Sequence, residues 1–443
     1  MSLPDSPKIP KFMQLLQWIY NPLHLMSASK KSCGDLFTLW LINKQPMVFL
    51  SHPQAIQDIF TTHAEKLDSR STATILQPLL GDNSLLLITG KTHQRQRKLL
   101  TPPFHGDRMK AYGDLITGLT KDAIAKWQIG EPFSAAKSMQ EITLQVILQA
   151  VFGLQKGDRY NQLRTSLCSI LELSSSSLRS SLSFFPALRI NLGRWSPWGN
   201  FLYQREKIDK LIYAEIEERR NHPDASRNDI LSLMMSARDE NGEAMTDVEL
   251  RDELMTLLLA GHDTTASALT WALYWVHHLP AVREKLLAEL NSFHDADFNE
   301  IARLPYLTAV CQETLRIYPI LMMTIPRIVK SPIEIMGHKF APGTNLTGCI
   351  YLIHHRPDLY PEPDKFIPER FLDKQYSLYE YLPFGGSNRR CIGMAFALFE
   401  IKLILATVVA NMDLKLVENY PVKPQRRGVT LVPSSGKWLI RNS

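Results

Sequence analysis

The tetrapeptide Thr246-Asp247-Val248-Glu249 is a capping box, in which the threonine side chain accepts from the glutamate amide while the glutamate reaches back. The helix it opens meets no breaker until Pro280. It therefore runs over roughly 34 residues, about 246–279, and spans roughly 50 Å. Its start is charged, whereas Leu257–Ala260 and Ala266–Val276 are apolar. A helix of that length and character crosses a core, and the rest of the chain has to pack around it.

Other elements are shorter. Phe37–Ile42 and Pro46–Leu50 are β-type runs flanking Asn43-Lys44-Gln45, which predicts a hairpin. Ser51-His52-Pro53 opens a helical stretch to Phe60, and Ser69–Asn83 reads as a loop. From Thr89 to about Ile230 the pattern is mostly helical. It is interrupted by Ser-rich Leu173–Ser183, read as a surface helix plus loop, and by Phe184–Gly199. Further helices are expected at Ala281–Ser292 and Leu307–Tyr318, short strands within 325–351, and a Pro-rich strandless stretch over 354–383. The fold class expected is mainly α with small β-sheets.

Composition excludes several functions. The net charge of +6, from 50 basic and 44 acidic residues, is modest and scattered, so no nucleic-acid partner is indicated. Five cysteines without a C-x-x-C argue against a disulfide framework and a tetrahedral zinc site, and suggest a reducing compartment. No run of 18 or more uncharged apolar residues occurs, so no transmembrane segment is expected. Phe12–Tyr20 packs on the body or, as the alternative, lies on a membrane surface.

Three stretches carry chemistry. Within the long helix, Ala260-Gly261-His262-Asp263-Thr264-Thr265 puts a carboxylate beside a hydroxyl in an apolar setting, where small residues let a flat ligand approach. A helix kink with Thr264 bonded back to a carbonyl is the alternative. Glu313 and Arg316 share a helix face at i, i+3, and flanking Val310, Leu315 and Ile317 point to burial with a third charged partner, for which Arg370 is the candidate. Finally, Gly385, Gly386 and Gly393 surround Cys391, which lies at a helix start with Arg389 and Arg390 beside it, a setting that favours thiolate. Cys33, Cys168, Cys311 and Cys349 lack such surroundings and read as inert. The run Met394–Ala410 reads as an interior helix.

The segment Phe384–Gly393 resembles the haem-binding loop of cytochrome P450 enzymes, F-x-x-G-x-R-x-C-x-G, with Ser387 where glycine is usual, a change expected to tighten the loop. AGHDTT matches the family's A-G-x-[DE]-T-T motif, Glu313/Arg316 its E-x-x-R, and Phe366–Phe371 its P-E-R-F segment, in the family's order from about Leu36 to the C-terminus. The resemblance implies a cytochrome P450 fold, a triangular prism with the long helix over the haem, as a single domain over 1–443. That domain would have a β-containing part (36–60 and 325–351), a helical body (89–320) and a haem-thiolate loop (384–393). It implies haem b (iron protoporphyrin IX) with Cys391 as the metal ligand, and Phe384, Gly393 and Gly261 against the cofactor. His93, Arg97, Arg327 and Arg389 would meet its propionates. Asp263 and Thr264 would be catalytic, and Glu313, Arg316 and Arg370 structural. A pocket of Leu76, Leu79, Ala260, Leu321, Met322, Met323, Thr324 and Val432 would take substrate.

The function so implied is a monooxygenase inserting one oxygen atom of O2 into a lipophilic substrate, a fatty acid or terpenoid, in a cytoplasmic monomer. No flavin or iron–sulfur sequence is recognisable in the chain, so electrons would come from a separate 2Fe-2S ferredoxin and its reductase. Arg95, Lys98 and Arg390 are expected near its dock. Rival readings are a haem-thiolate peroxygenase or isomerase, disfavoured by the intact Asp263-Thr264 pair, and a non-catalytic haem sensor, which would need an output domain.

Overall fold

The computed structural model describes residues 3–41, 45–68, 76–104, 108–175, 189–224, 226–293, 297–418, 420, 422–428 and 430–442. Asn43-Lys44 of the expected hairpin turn, residues 69–75 of the expected loop and the Ser-rich segment from 176 onward lie outside them. The chain folds into two compact units interleaved in sequence. One is drawn from Met1–Thr74, Leu304–Cys391 and Val422–Ser434, the other from Ile75–Arg303, Ile392–Pro421 and Ser435–Ser443.

The first unit is organised on a five-stranded sheet in the order Leu36–Trp40, Pro46–Leu50, Asn345–Gly348, Arg327–Val329, Leu67–Asp68. The expected hairpin is there, with Leu36 opposite Leu50 and Trp40 opposite Pro46. Pro46–Leu50 then pairs in parallel with Asn345–Gly348, Met47 opposite Asn345. A parallel pairing needs a crossover, and here nearly the whole second unit lies between the two strands in sequence. Alternate side chains enter separate cores. Val48, Leu50, Leu346, Val329 and Leu382 fill one, while Phe37, Leu39, Phe49, Trp18 and Met322 fill the other. Phe37 and Phe49, directly opposite, stack at 5.3 Å. Because both sheet faces are buried, its strands read as apolar runs rather than alternation. Helix Pro305–Ile317, the short helices Ile350–His354 and Arg370–Asp373, and hairpin Pro424–Arg427/Thr430–Pro433 also belong to the unit.

The second unit is built on helix Asp247–His278. Its capping box forms, with Glu249 N–H donating to Thr246 Oγ1 at 3.2 Å and Thr246 N–H to Glu249 Oε2 at 2.8 Å. Pro280 does not merely stop this helix; it starts the next, Pro280–Asn291, at a first-turn position where no N–H is needed. The long helix packs against Ala135–Val146, Pro197–Asn221, Pro280–Asn291 and Met394–Asn411. Met394–Asn411 is long and apolar enough to cross a membrane by length and composition, but 61% of it is buried within the protein, as in a core helix. A small sheet of Pro132–Phe133, Leu439–Arg441 and Leu414–Leu416 closes the unit.

Candidate functional site

In the first unit the glycine-rich loop is shaped residue by residue. Gly385 sits at φ +65°, and its N–H donates to Leu382 O at 3.0 Å. A Cβ on Gly386 would lie 2.3 Å from Phe60 Cε2, so that glycine permits close approach. Ser387 adopts φ +58°, the left-handed conformation that a glycine takes freely and a serine does not. The loop thus keeps a glycine-like backbone at Ser387 and stores strain there rather than changing course. The Cys391 N–H donates to Phe384 O at 3.0 Å, which folds the turn back on itself. Helix Met394–Asn411 follows with Gly393 as its N-cap.

Cys391 is the one exposed cysteine of the five. Cys311 and Cys349 are buried, and burial pushes the Cys349 thiol up to about 12, where it is chemically inert.

Behind the loop Glu313, Arg316 and Arg370 come together. Glu313 and Arg316 are fully buried. All five N–H donors of Arg316 are used: two on Glu313 (2.6 and 2.8 Å), and three on the carbonyls of His354 (2.9 Å), Pro363 (2.8 Å) and Lys365 (3.0 Å). Arg370 Nε reaches Glu313 Oε1 at 3.2 Å, and the Ile367 N–H donates to the same oxygen at 2.8 Å. Arg370 also donates to the carbonyls of Pro361 and Glu362. Desolvating these charges is costly, and it is offset only because each is paired and hydrogen-bonded.

Arg327, on strand Arg327–Val329, is a different case. It is 5% exposed, packs at 5.1 Å over the Phe60 ring, and among the described residues has no carboxylate partner. Burial, reinforced by the charge of Arg389, lowers it to about 10. A buried guanidinium repelled by a partly buried neighbour suits an anionic ligand.

In the second unit the motif of the long helix is locally open. Ala260 is exposed although most of the helix around it is buried, and Gly261, Asp263 and Thr264 are partly buried. Thr264 Oγ1 donates back to Ala260 O at 2.5 Å. Asp263 Oδ1 accepts from Gln140 Nε2 at 3.1 Å. The buried His262 ring meets Thr143 Oγ1 at 2.9 Å through Nδ1, consistent with a packing role. A Cβ on Gly261 would sit 3.2 Å from Ile147 Cδ1, at the start of the wide π-turn Ile147–Val151.

His93 and Arg97 lie one turn apart on helix Gly90–Leu100, His93 buried and Arg97 partly so. Arg95 corrects an expectation: its Nε donates to Asp239 at 2.6 Å and its Nη1 to Glu249 at 2.9 Å, so it serves the second unit's own packing rather than a docking face. Lys98 makes a solvent-exposed pair with Glu240 at 2.5 Å.

Among the residues read as substrate-lining, Leu76, Leu79, Leu321, Met323 and Val432 are partly buried. Met322 is buried in the core beside Trp18, and the Thr324 hydroxyl accepts from the Gly348 N–H at 3.0 Å. Three residues outside the motifs acquire a role in the fold. His354, Tyr360 and Tyr381 belong to none of the motifs, yet all three grip the segment leading into the loop.

These residues fit a haem. Cys391 offers an exposed thiol, Arg327 a buried guanidinium suited to an anion, and a Cβ on Gly393 would meet no protein atom within 4 Å. Comparisons with known proteins agree. The family model described as Cytochrome P450 matches residues 3–440. The chain is 34% identical to a putative cytochrome P450 135B1 of Mycobacterium tuberculosis, over 98% of this chain and 90% of that protein. It is 32% identical to a putative cytochrome P450 138 of Mycobacterium bovis, over 99% and 96%. Among solved structures, the retinoic acid bound cyanobacterial CYP120A1 superimposes with a TM-score of 0.82 at 24% identity, covering 98% of this chain and 100% of that one. The cytochrome P450DA heme domain does so with 0.87 at 22%, covering 100% and 98%. The chain belongs to the cytochrome P450 family and is a haem-thiolate oxidoreductase of the monooxygenase class.

Proposed function

We propose that this monooxygenase inserts one oxygen atom of O2 into a C–H or C=C bond of a medium or large lipophilic molecule, a fatty acid first and a terpenoid second. A 2Fe-2S ferredoxin and its reductase would supply the electrons. The observation that carries the reading is Cys391: an exposed thiol in a glycine-shaped loop, two residues before a helix N-cap, in the unit that also holds the Glu313–Arg316–Arg370 brace.

In this reading Cys391 is the ligand of a haem b. When bound, the group would supply O2 activation, and the Cys391 thiolate that holds it would enrich it in electrons. Arg327 and Arg389, with His93 and Arg97, would hold the propionates. Phe384, Gly393 and Gly261 would leave room for the flat group. Asp263, oriented by Gln140, takes protons from solvent, and Thr264 passes them on by swinging its hydroxyl from the Ala260 carbonyl. The apolar side chains of Leu76, Leu79, Leu321, Met323 and Val432, with Ala260, would line the substrate space, and Met322 and Thr324 would hold its wall.

We read 1–443 as one cytochrome P450 domain, cytoplasmic and monomeric. Phe12, Leu16 and Tyr20 are 65%, 49% and 80% exposed along one face of helix Lys11–Tyr20, while Gln14 and Trp18 on the other are buried. That apolar stripe supports a peripheral contact with a membrane surface.

The test is the reduced, CO-bound spectrum, followed by a screen of fatty acids and terpenoids for a spin-state shift and by turnover. A thiolate-type band that is lost in Cys391→Ser, with product formed under ferredoxin and reductase, is the expected result. Turnover with peroxide alone would assign a peroxygenase instead. A Cys391→Ser protein that kept the thiolate band would overturn the assignment.

A further inference from the structure

We infer that His354 is a positioning residue that couples the buried Glu313–Arg316–Arg370 brace to the Cys391 loop; this rests on Cys391 being the haem ligand. His354 ends helix Ile350–His354 and is fully buried. Its Nε2 lies 3.0 Å from the backbone N of Leu382, so that nitrogen must accept. Nδ1 therefore carries the proton, and it donates to the Arg316 carbonyl at 3.2 Å. One ring thus bridges the end of helix Pro305–Ile317 and the residue that enters the loop.

The bridge continues toward the cysteine through backbone bonds. Leu382 O accepts from the Gly385 N–H at 3.0 Å, and Phe384 O from the Cys391 N–H at 3.0 Å. Neighbouring groups hold the same segment: Tyr360 Oη donates to Glu380 O at 3.0 Å, and Tyr381 Oη to Gln312 O at 3.0 Å. The His354 ring stacks on Tyr381 at 5.4 Å and meets Tyr360 edge-on at 6.3 Å. The ring is thereby fixed in plane, and its two nitrogens set where Leu382 sits. An imidazole with one donor and one acceptor on opposite sides does what no aliphatic core residue could.

The experiment compares holoenzymes of wild type, His354→Phe, which keeps a stacking ring but neither hydrogen bond, and His354→Gln, whose amide oxygen reaches near the Nε2 position. Three quantities are read: far-UV circular dichroism, the rate at which the reduced CO complex passes from the thiolate to the thiol band, and haem loss to an excess of apomyoglobin. His354→Phe should retain the wild-type dichroism while converting and losing haem on the order of tenfold faster, the effect of one orphaned buried amide. His354→Gln should return to within about threefold of wild type, since it regains the acceptor. Equal rates in His354→Phe and wild type overturn the inference, as do equal defects in the two variants. Should His354→Phe fail to fold, His354→Gln decides: wild-type-like rates support positioning and lost haem overturns it. A wild type without any thiolate band would instead refute the ligand assignment itself, before the variants are compared.

Discussion

Arg316 and His354 are bonded reciprocally: Arg316 Nη1 donates to the His354 carbonyl at 2.9 Å, and His354 Nδ1 donates to the Arg316 carbonyl at 3.2 Å. The guanidinium at the centre of this arrangement has no spare donor. Lysine brings three donors on a flexible stem and no planar fork. Arg316→Lys should therefore orphan carbonyls and part of the Glu313 carboxylate, and cost about 3 kcal/mol or more. Haem per purified chain should fall sharply with it. Denaturant titration and haem content together check this, and a variant with normal haem content would contradict the brace.

Ser387 pays for a left-handed backbone that glycine would adopt freely. Relief of that strain is worth about 1–2 kcal/mol, against about 0.4–1 kcal/mol for the extra freedom of an unfolded glycine. Ser387→Gly should raise stability by up to about 1.6 kcal/mol with an unchanged CO spectrum. A shifted denaturation midpoint at constant slope is the readout.

Acid stability should depend on three imidazoles, His354 fully buried and His277 and His355 partly so. Burial lowers His277 and His355 to about 4 and pushes His354 well down. Unfolded histidines take up protons near 6.5, and these folded ones do not, so stability is lost as pH falls from about 6.5 toward 4. Each group contributes up to about 1.4 kcal/mol per pH unit. Urea midpoints at pH 7 and pH 5 measure the slope.

The opposite sign holds for Glu253 and Glu400, whose carboxyls burial raises well above the usual range. Above about pH 4.3 the unfolded chain releases these protons while the folded chain retains them, so stability falls as pH rises toward the folded-state values. Glu253→Gln should stabilise more at pH 7 than at pH 5. An equal gain at both would mean that the carboxyl is ionised in the native protein.

Thr264→Ala removes a hydroxyl that bonds within its own helix, so fold and haem binding should survive. Proton delivery should not, and electrons should then leave as hydrogen peroxide rather than as product. The ratio of peroxide to oxygenated product per electron pair tests the role.

Local chemistry was legible in the sequence. The capping box, Pro280, the β-runs around 36–50 and the E-x-x-R pair depend on neighbours within a few residues, and they appear where the chain predicts them. Cys391 was separable from four other cysteines because its glycines and helix start adjoin it in sequence. Tertiary structure alone decided what joins distant segments. The parallel pairing of Pro46–Leu50 with Asn345–Gly348, the use of Arg95 by Asp239 and Glu249, and the grip of His354 on Leu382 are contacts between residues far apart in the chain or carrying no motif. No periodicity encodes them, because each is set by which buried donor must find which acceptor once water is excluded.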